Sequence, residues 1–244
     1  MRVIQSVLLF VLLFVAGSAA SSQATGELTI AAGAGYKRLV NQLSAGYTRK
    51  TGTEVQLVFG NMGQIIAQSR QSDEIDILIG DKRFLDGTEL VFSGEYAIGQ
   101  GKLMAATAKG VTMDSLDRLT DESIARIALP DAKKAVYGYA AAEFLDNKKL
   151  RSQLDRKLLV VGTVPQVAAY VVSGEVDLGF LNLTEALAIK DKVGQLIAVD
   201  EALYSPIWIV AKQLSGRDSG HVVPSFVSYL QSDEARAIIK KHGL

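Results

Sequence analysis

Hydrophobic and polar positions follow two different periods along this chain, and the period changes at glycine-rich turns. Residues 27–32, Glu27-Leu28-Thr29-Ile30-Ala31-Ala32, read as a buried strand. Gly33-Ala34-Gly35 turns the chain. Tyr36, Leu39, Val40, Leu43 and Tyr47 then recur at the spacing of one helix face, and Gly52 is placed to end that helix. Residues 55–59 predict a second strand. Gly60-Asn61-Met62-Gly63 opens a short helix through Ile65 and Ile66, and residues 75–80 predict a third strand. Strand-helix-strand-helix-strand implies a parallel sheet flanked by helices.

Gly99-Gln100-Gly101 reads as a break, followed by a strand over 102–107. A second α/β set is predicted beyond it. It has a short helix over 116–119, a strand over 126–129, a helix over 139–145 with a helical continuation over 150–154, and a strand over 158–161. Pro165 begins the next helix, residues 176–181 form a strand, and Thr184 caps the helix that follows. A late apolar strand covers 207–211. One amphipathic helix over 224–242 closes the chain, with Phe226, Val227, Leu230, Ala235, Ile238 and Ile239 on its apolar face and Gly243 at its end.

The N-terminus follows neither pattern. Arg2 precedes an apolar run over 7–16, and small residues follow it: Gly17, Ser18, Ala19, Ala20, Ser22 and Ala24. These are the three parts of a secretory signal peptide, and the run is too short to span roughly 30 Å of hydrocarbon as a helix. Cleavage after Ala20 or after Ala24 fits equally. An exported, periplasmic protein is expected. The chain has no cysteine, which excludes a lipid-modified cysteine anchor and disulfide bonds.

Acidic and basic residues balance at 26 each, so no electrostatic footprint for nucleic acid is present. Catalytic signatures are weak. There is no Gly-x-Ser-x-Gly elbow and no cysteine nucleophile, and the two histidines, His221 and His242, lie late in the chain. Asp76 and Asp81 flank a strand end, where turn and cap chemistry explains Asp81. No enzyme, cofactor or metal site is expected. Binding is the stronger signal. Gly33, Ala34 and Gly35 form one strand-to-helix turn, and Asn61, Met62 and Gly63 form another. Each would present backbone N–H groups and a helix dipole to an anion, at the strand ends where open α/β sheets hold ligands.

Several segments resemble the periplasmic molybdate-binding proteins of bacterial uptake transporters, within the type II solute-binding superfamily. They are residues 28–32 before a helix, residues 75–79 before Asp81, Ser173-Gly174-Glu175-Val176-Asp177-Leu178-Gly179-Phe180, and residues 226–235 followed by Lys241-His242-Gly243. The resemblance covers essentially the whole mature chain. It implies an α/β fold of two lobes, each a mostly parallel sheet flanked by helices, joined by crossing strands and closing on a ligand in the cleft. Residues 25–107 with 202–244 would form the first lobe and residues 108–201 the second, after a signal peptide over 1–24.

It also implies an oxyanion held by two serine hydroxyls, backbone amides and a tyrosine. The serine positions align with Ala34 and with Asn61 or Met62, a small second-lobe residue with Tyr137, an amide-donating valine with Val164 or Pro165, and the tyrosine with Asn182. No serine is present in either first-lobe turn, and proline has no N–H to donate. The expected function is the solute-binding component of an ABC uptake transporter, a monomer that hands a small anion or polar solute to a membrane permease. The alternative keeps the fold with a different ligand and a sensor or accessory role.

Overall fold

A computed structural model describes residues 27–217 and 220–244. The expected signal peptide lies outside the described residues. In chain order, β1 (Leu28–Gly33) leads through a 3₁₀ turn, Ala34–Tyr36, into α1 (Lys37–Thr51). Then come β2 (Val55–Gly60), α2 (Met62–Gln71), β3 (Ile77–Asp81), α3 (Lys82–Asp86) and β4 (Phe92–Gly101). The second set runs β5 (Leu103–Thr107), β6 (Ile127–Pro130), α4 (Val136–Asn147), α5 (Arg151–Leu154), β7 (Leu158–Val161), α6 (Val164–Ser173), β8 (Leu178–Asn182), α7 (Leu183–Ile189) and β9 (Leu196–Ala198). The chain ends in β10 (Ile207–Leu214), α8 (Val222–Leu230) and α9 (Asp233–Lys241).

These strands form two five-stranded sheets, ordered β2-β1-β3-β10-β4 and β7-β6-β8-β5-β9. The pairing directions make each sheet mixed but directional. β1, β2, β3 and β4 share one direction, and only β10 runs against them. In the second sheet only β5 opposes the rest. The chain crosses between sheets twice, from β4 to β5 and from β9 to β10. Two lobes therefore share two adjacent connections, the topology of a hinge.

The helix faces pack as their spacing requires. Leu39, Val40, Leu43 and Tyr47 of α1 are buried against the first sheet, and Tyr47 meets Phe226 of α8 edge-on at 5.2 Å between ring centroids. Phe144 of α4 and Phe180 of β8 meet at 5.6 Å in the second lobe. Gly52 ends α1 at φ +74°, as its position predicts. Among the described residues, no helix is long and apolar enough to cross a membrane.

Four sequence expectations need correction. Gly99-Gln100-Gly101 does not break the chain, because these residues complete β4 and pair with Ile209, Trp208 and Ile207. Residues 103–107, assigned to the first lobe, pair with β8 and β9, so the lobe changes between β4 and β5. The closing helix is two helices, because the Ser232 side chain accepts from the Ala235 N–H and starts α9 afresh. Asn182, two residues earlier than expected, caps α7, and Thr184 lies inside that helix. The short elements α3 and β9 have no counterpart in the hydrophobic pattern.

Candidate functional site

Four helical starts converge on one small cavity between the lobes. The first lobe contributes Gly33, Ala34, Gly35 and Tyr36 at the start of α1, and Gly60, Asn61 and Met62 at the start of α2. The second contributes Ala135, Val136 and Tyr137 at the start of α4, and Thr163 and Val164 at the start of α6. The volume open to the centre of a water-sized sphere is about 30 Å³, room for about two waters or one compact ion. None of the lining residues is acidic, basic or histidine. The first N–H groups of a helix have no carbonyl partner within it, and the helix dipole places positive partial charge at the same end. The cavity is therefore electropositive without a formal cation. Among the described residues, no group of three or more His, Cys, Asp or Glu could hold a metal ion.

Side-chain caps set two of these starts. Asn61 and Gln64 form a capping box: the Gln64 N–H donates to Asn61 Oδ1 at 2.9 Å, and the Asn61 N–H donates to Gln64 Oε1 at 2.9 Å. Thr163 and Gln166 form the same box at α6. Pro165 follows Val164 at the opening of α6, where its missing N–H is no loss. Glycine at 138 lets α4 lie against β6, since a Cβ there would come within 2.3 Å of the Pro130 carbonyl oxygen.

The lobes touch directly around the cavity. Asn61 Nδ2 donates to the Gly162 carbonyl at 3.2 Å, and the Gly63 N–H donates to the Lys134 carbonyl at 3.2 Å. Asn182 Nδ2 donates to the Gly35 carbonyl at 2.9 Å. Tyr36 and Tyr137 share a hydroxyl–hydroxyl hydrogen bond of 2.5 Å. Further out, Arg83 of α3 lies 3.9 Å from the Tyr139 ring centre and 3.8 Å from Glu143, both on α4. Arg38 is 3.6 Å from Glu185.

Both phenols of the tyrosine pair are held protonated well past the ordinary tyrosine range. For Tyr36 the first cause is burial, followed by the partner phenol and then the Asp81 carboxylate. For Tyr137 it is again burial, opposed by the hydrogen bond from Tyr36. Burial also raises the Asp81 carboxyl, against the N–H donors of the α3 start that it caps.

Six of the nine predicted site residues line the cavity: Gly33, Ala34, Gly35, Asn61, Met62 and Tyr137. Gly63 is outside the lining and spends its N–H on the second lobe. Pro165 is also outside it, and its neighbour Val164 takes the place. Asn182 is fully buried, and its two polar atoms bond the α7 start and Gly35. Sequence reasoning missed Tyr36, Ala135, Val136 and Thr163, and took Gly60 only as the opening of the turn before α2. A helix N-cap threonine ahead of glutamine was a legible signal for Thr163. Tyr36 reads in the sequence only as the first apolar position of a helix face.

Asn61→Ala is expected to lower stability by about 1 kcal/mol through loss of the α2 cap, and to remove the contact to Gly162. Urea denaturation checks this, and Asn61→Asp should restore the cap but not the contact. Equal stability of the alanine variant and the parent would contradict the cap assignment.

Two lobes, two crossings and a helix-lined cleft define a solute-binding architecture. The sequence model for "Bacterial extracellular solute-binding protein" matches residues 28–244, and the chain belongs to that family. It is 25% identical over 225 residues to the molybdate-binding protein ModA of Rhodobacter capsulatus, covering 90% of this chain and 88% of the relative. Its fold is similar to that of the periplasmic molybdate-binding protein of Azotobacter vinelandii, with a TM-score of 0.81 at 21% identity over 88% of this chain and 97% of that one. The sulfate-binding protein SubI of Mycobacterium tuberculosis shares the fold at a TM-score of 0.68 and 12% identity, covering 89% and 86% of the two chains.

Proposed function

We propose that the protein is the periplasmic solute-capturing component of an ABC uptake transporter, closing its two lobes on a small oxyanion and delivering it to a membrane permease. The convergence of four helical N-termini on one cavity without charged side chains carries this reading. Preorganised amides and dipoles stabilise a buried anion, and their orientation is fixed by folding rather than at the moment of binding. The Thr163 hydroxyl, and the one proton that the mutual bond of the Tyr36–Tyr137 pair leaves over, are further donors among the lining residues. The relatives named for molybdate make molybdate or tungstate the first ligand to test.

The ligand contacts are assigned to the amides of the 34–36 turn, to the starts of α2, α4 and α6, and to Tyr137. A second reading keeps the site and changes the ligand, with a sensor or accessory role in place of transport. It is favoured by one observation: Ala34 and Asn61-Met62 stand in the turns where the resembling family carries serines.

A thermal-shift panel of molybdate, tungstate, sulfate and small organic anions tests both. An anion present at about 100 times its Kd should stabilise the fold by roughly 2.7 kcal/mol. That corresponds to a Tm rise of roughly 5–10 °C for a chain of this size. No shift with any oxyanion would overturn the anion reading. A shift with an organic anion alone would favour the second.

A further inference from the structure

Asn182 is fully buried, yet it does not line the cavity. It ends β8, and its backbone pairs with Leu103, the first residue after the crossing into the second lobe. Its Oδ1 accepts the Glu185 N–H at 3.0 Å, which caps α7 and fixes the side chain's orientation. That leaves Nδ2 facing the other lobe, where it donates to the Gly35 carbonyl at 2.9 Å. The approach depends on glycine. A Cβ on residue 35 would sit 3.1 Å from Asn182 Nδ2 and 3.4 Å from Val164 Cβ, tighter than ordinary carbon contacts.

The consequence follows from peptide geometry. In a planar trans peptide the C=O and the next N–H point to opposite sides. Holding the Gly35 carbonyl on the second lobe therefore fixes the direction of the Tyr36 N–H, which belongs to a cavity-lining residue. Tyr36 is held at its other end by the Tyr137 hydroxyl, also from the second lobe. Both constraints cross between lobes, so both exist only when the lobes are together.

We propose that Asn182 is a positioning residue: a cross-cleft latch that couples lobe closure to the orientation of the 34–36 turn, without touching the ligand itself. Its cap on α7 and its latch to Gly35 use different atoms, so substitution separates them. Aspartate caps a helix as well as asparagine but has no Nδ2 donor. Alanine loses both.

Because the chain has no cysteine, spin labels can be placed cleanly at Lys50→Cys and Arg156→Cys, exposed positions on the two lobes. Inter-lobe distances are then measured by pulsed electron resonance, without anion and with sodium molybdate, in the parent, Asn182→Asp and Asn182→Ala. The expected result is a closed, short-distance component in the parent that both variants lose to similar extents. Where molybdate binds, its dissociation should be about five- to tenfold faster in both variants, the size of one buried neutral hydrogen bond. Asn182→Asp behaving like the parent while Asn182→Ala does not would reduce the residue to a cap and overturn the latch. A parent that stays open with and without molybdate would also overturn it. The molybdate arm alone rests on the proposed function. If molybdate changes nothing in any of the three proteins while the variants still lose the closed component, the anion reading fails and the latch stands.

Discussion

Gly101→Ala is expected to lower stability by about 1–3 kcal/mol, the usual cost of overpacking a filled interior, and to break the tyrosine bond that spans the cleft. Gly101 ends β4, in register with Ile207, at the point where the chain leaves the first lobe. An added Cβ would fall 2.2 Å from the Tyr137 hydroxyl, 3.0 Å from Ile207 Cγ2 and 3.1 Å from the Tyr36 hydroxyl. Ile207 is fully buried, so it has no room to yield. The tyrosine hydroxyls, at the ends of their side chains, are the atoms that must move. Urea unfolding of four proteins checks this: the parent, Gly101→Ala, Tyr137→Phe and the double variant. Removing the hydroxyl nearest the clash should make the double variant more stable than the sum of the single losses predicts. Strict additivity would show that the added methyl group does not meet that hydroxyl.

Alkaline pH should destabilise the protein steeply from about pH 10 upward. Tyr36 and Tyr137 are both buried and both raised above the ordinary tyrosine value of 10.0, chiefly by desolvation. Above that value the unfolded chain releases phenolic protons that the folded chain keeps, so the unfolded state binds fewer protons. Stability then falls as pH rises. The contribution is fully present below pH 10 and is lost as pH climbs toward the folded-state values. Two such groups give a slope of up to about 2.7 kcal/mol per pH unit. Tyr204 and Tyr229 are shifted the same way, again first by burial, and add to the fall. The share of the pair is therefore read as the difference between the parent and Tyr36→Phe or Tyr137→Phe, each of which should remove up to half of the pair's slope. An unfolding free energy that stays flat between pH 9.5 and 11 would contradict the burial of these phenols.

The parts of the fold that sequence made legible are those whose signals are local. The face of α1, the glycine at 52 and the glycine-rich turns before α1 and α2 all depend on residues within a turn or two of each other. β4 shows the opposite case. Its alternation of half-buried and exposed residues from Phe92 to Ala97 is strand-like, but Gly94, Gly99 and Gly101 resemble breakers until the neighbours are known. Gly94 and Gly101 are places where a tyrosine approaches the backbone, and Gly99 is where Leu244 does. The same division runs through the site. Cavity residues at helix starts could be found from the glycine and cap chemistry. The pairing of Tyr36 with Tyr137 could not, because 101 residues separate them and nothing local marks either one. Asn182 was legible as a polar residue at a strand end, and its reach to Gly35 was not.

The position of β10 inside the first sheet has a consequence for the order in which the protein can be made. Among the described residues, β4 has only β10 as its hydrogen-bonding neighbour, and β10 is the last strand. While β5 to β9 are being synthesised, β4 is a finished strand with no sheet to join. The second lobe is one continuous segment, so its strands can pair without waiting for a later part of the chain. The first lobe must wait for residues 207–214, a pairing between distant parts of the chain that loop closure makes slow. Assembly is therefore expected to proceed from the second lobe to the first, although β1 to β4 of the first lobe precede the second lobe in the chain.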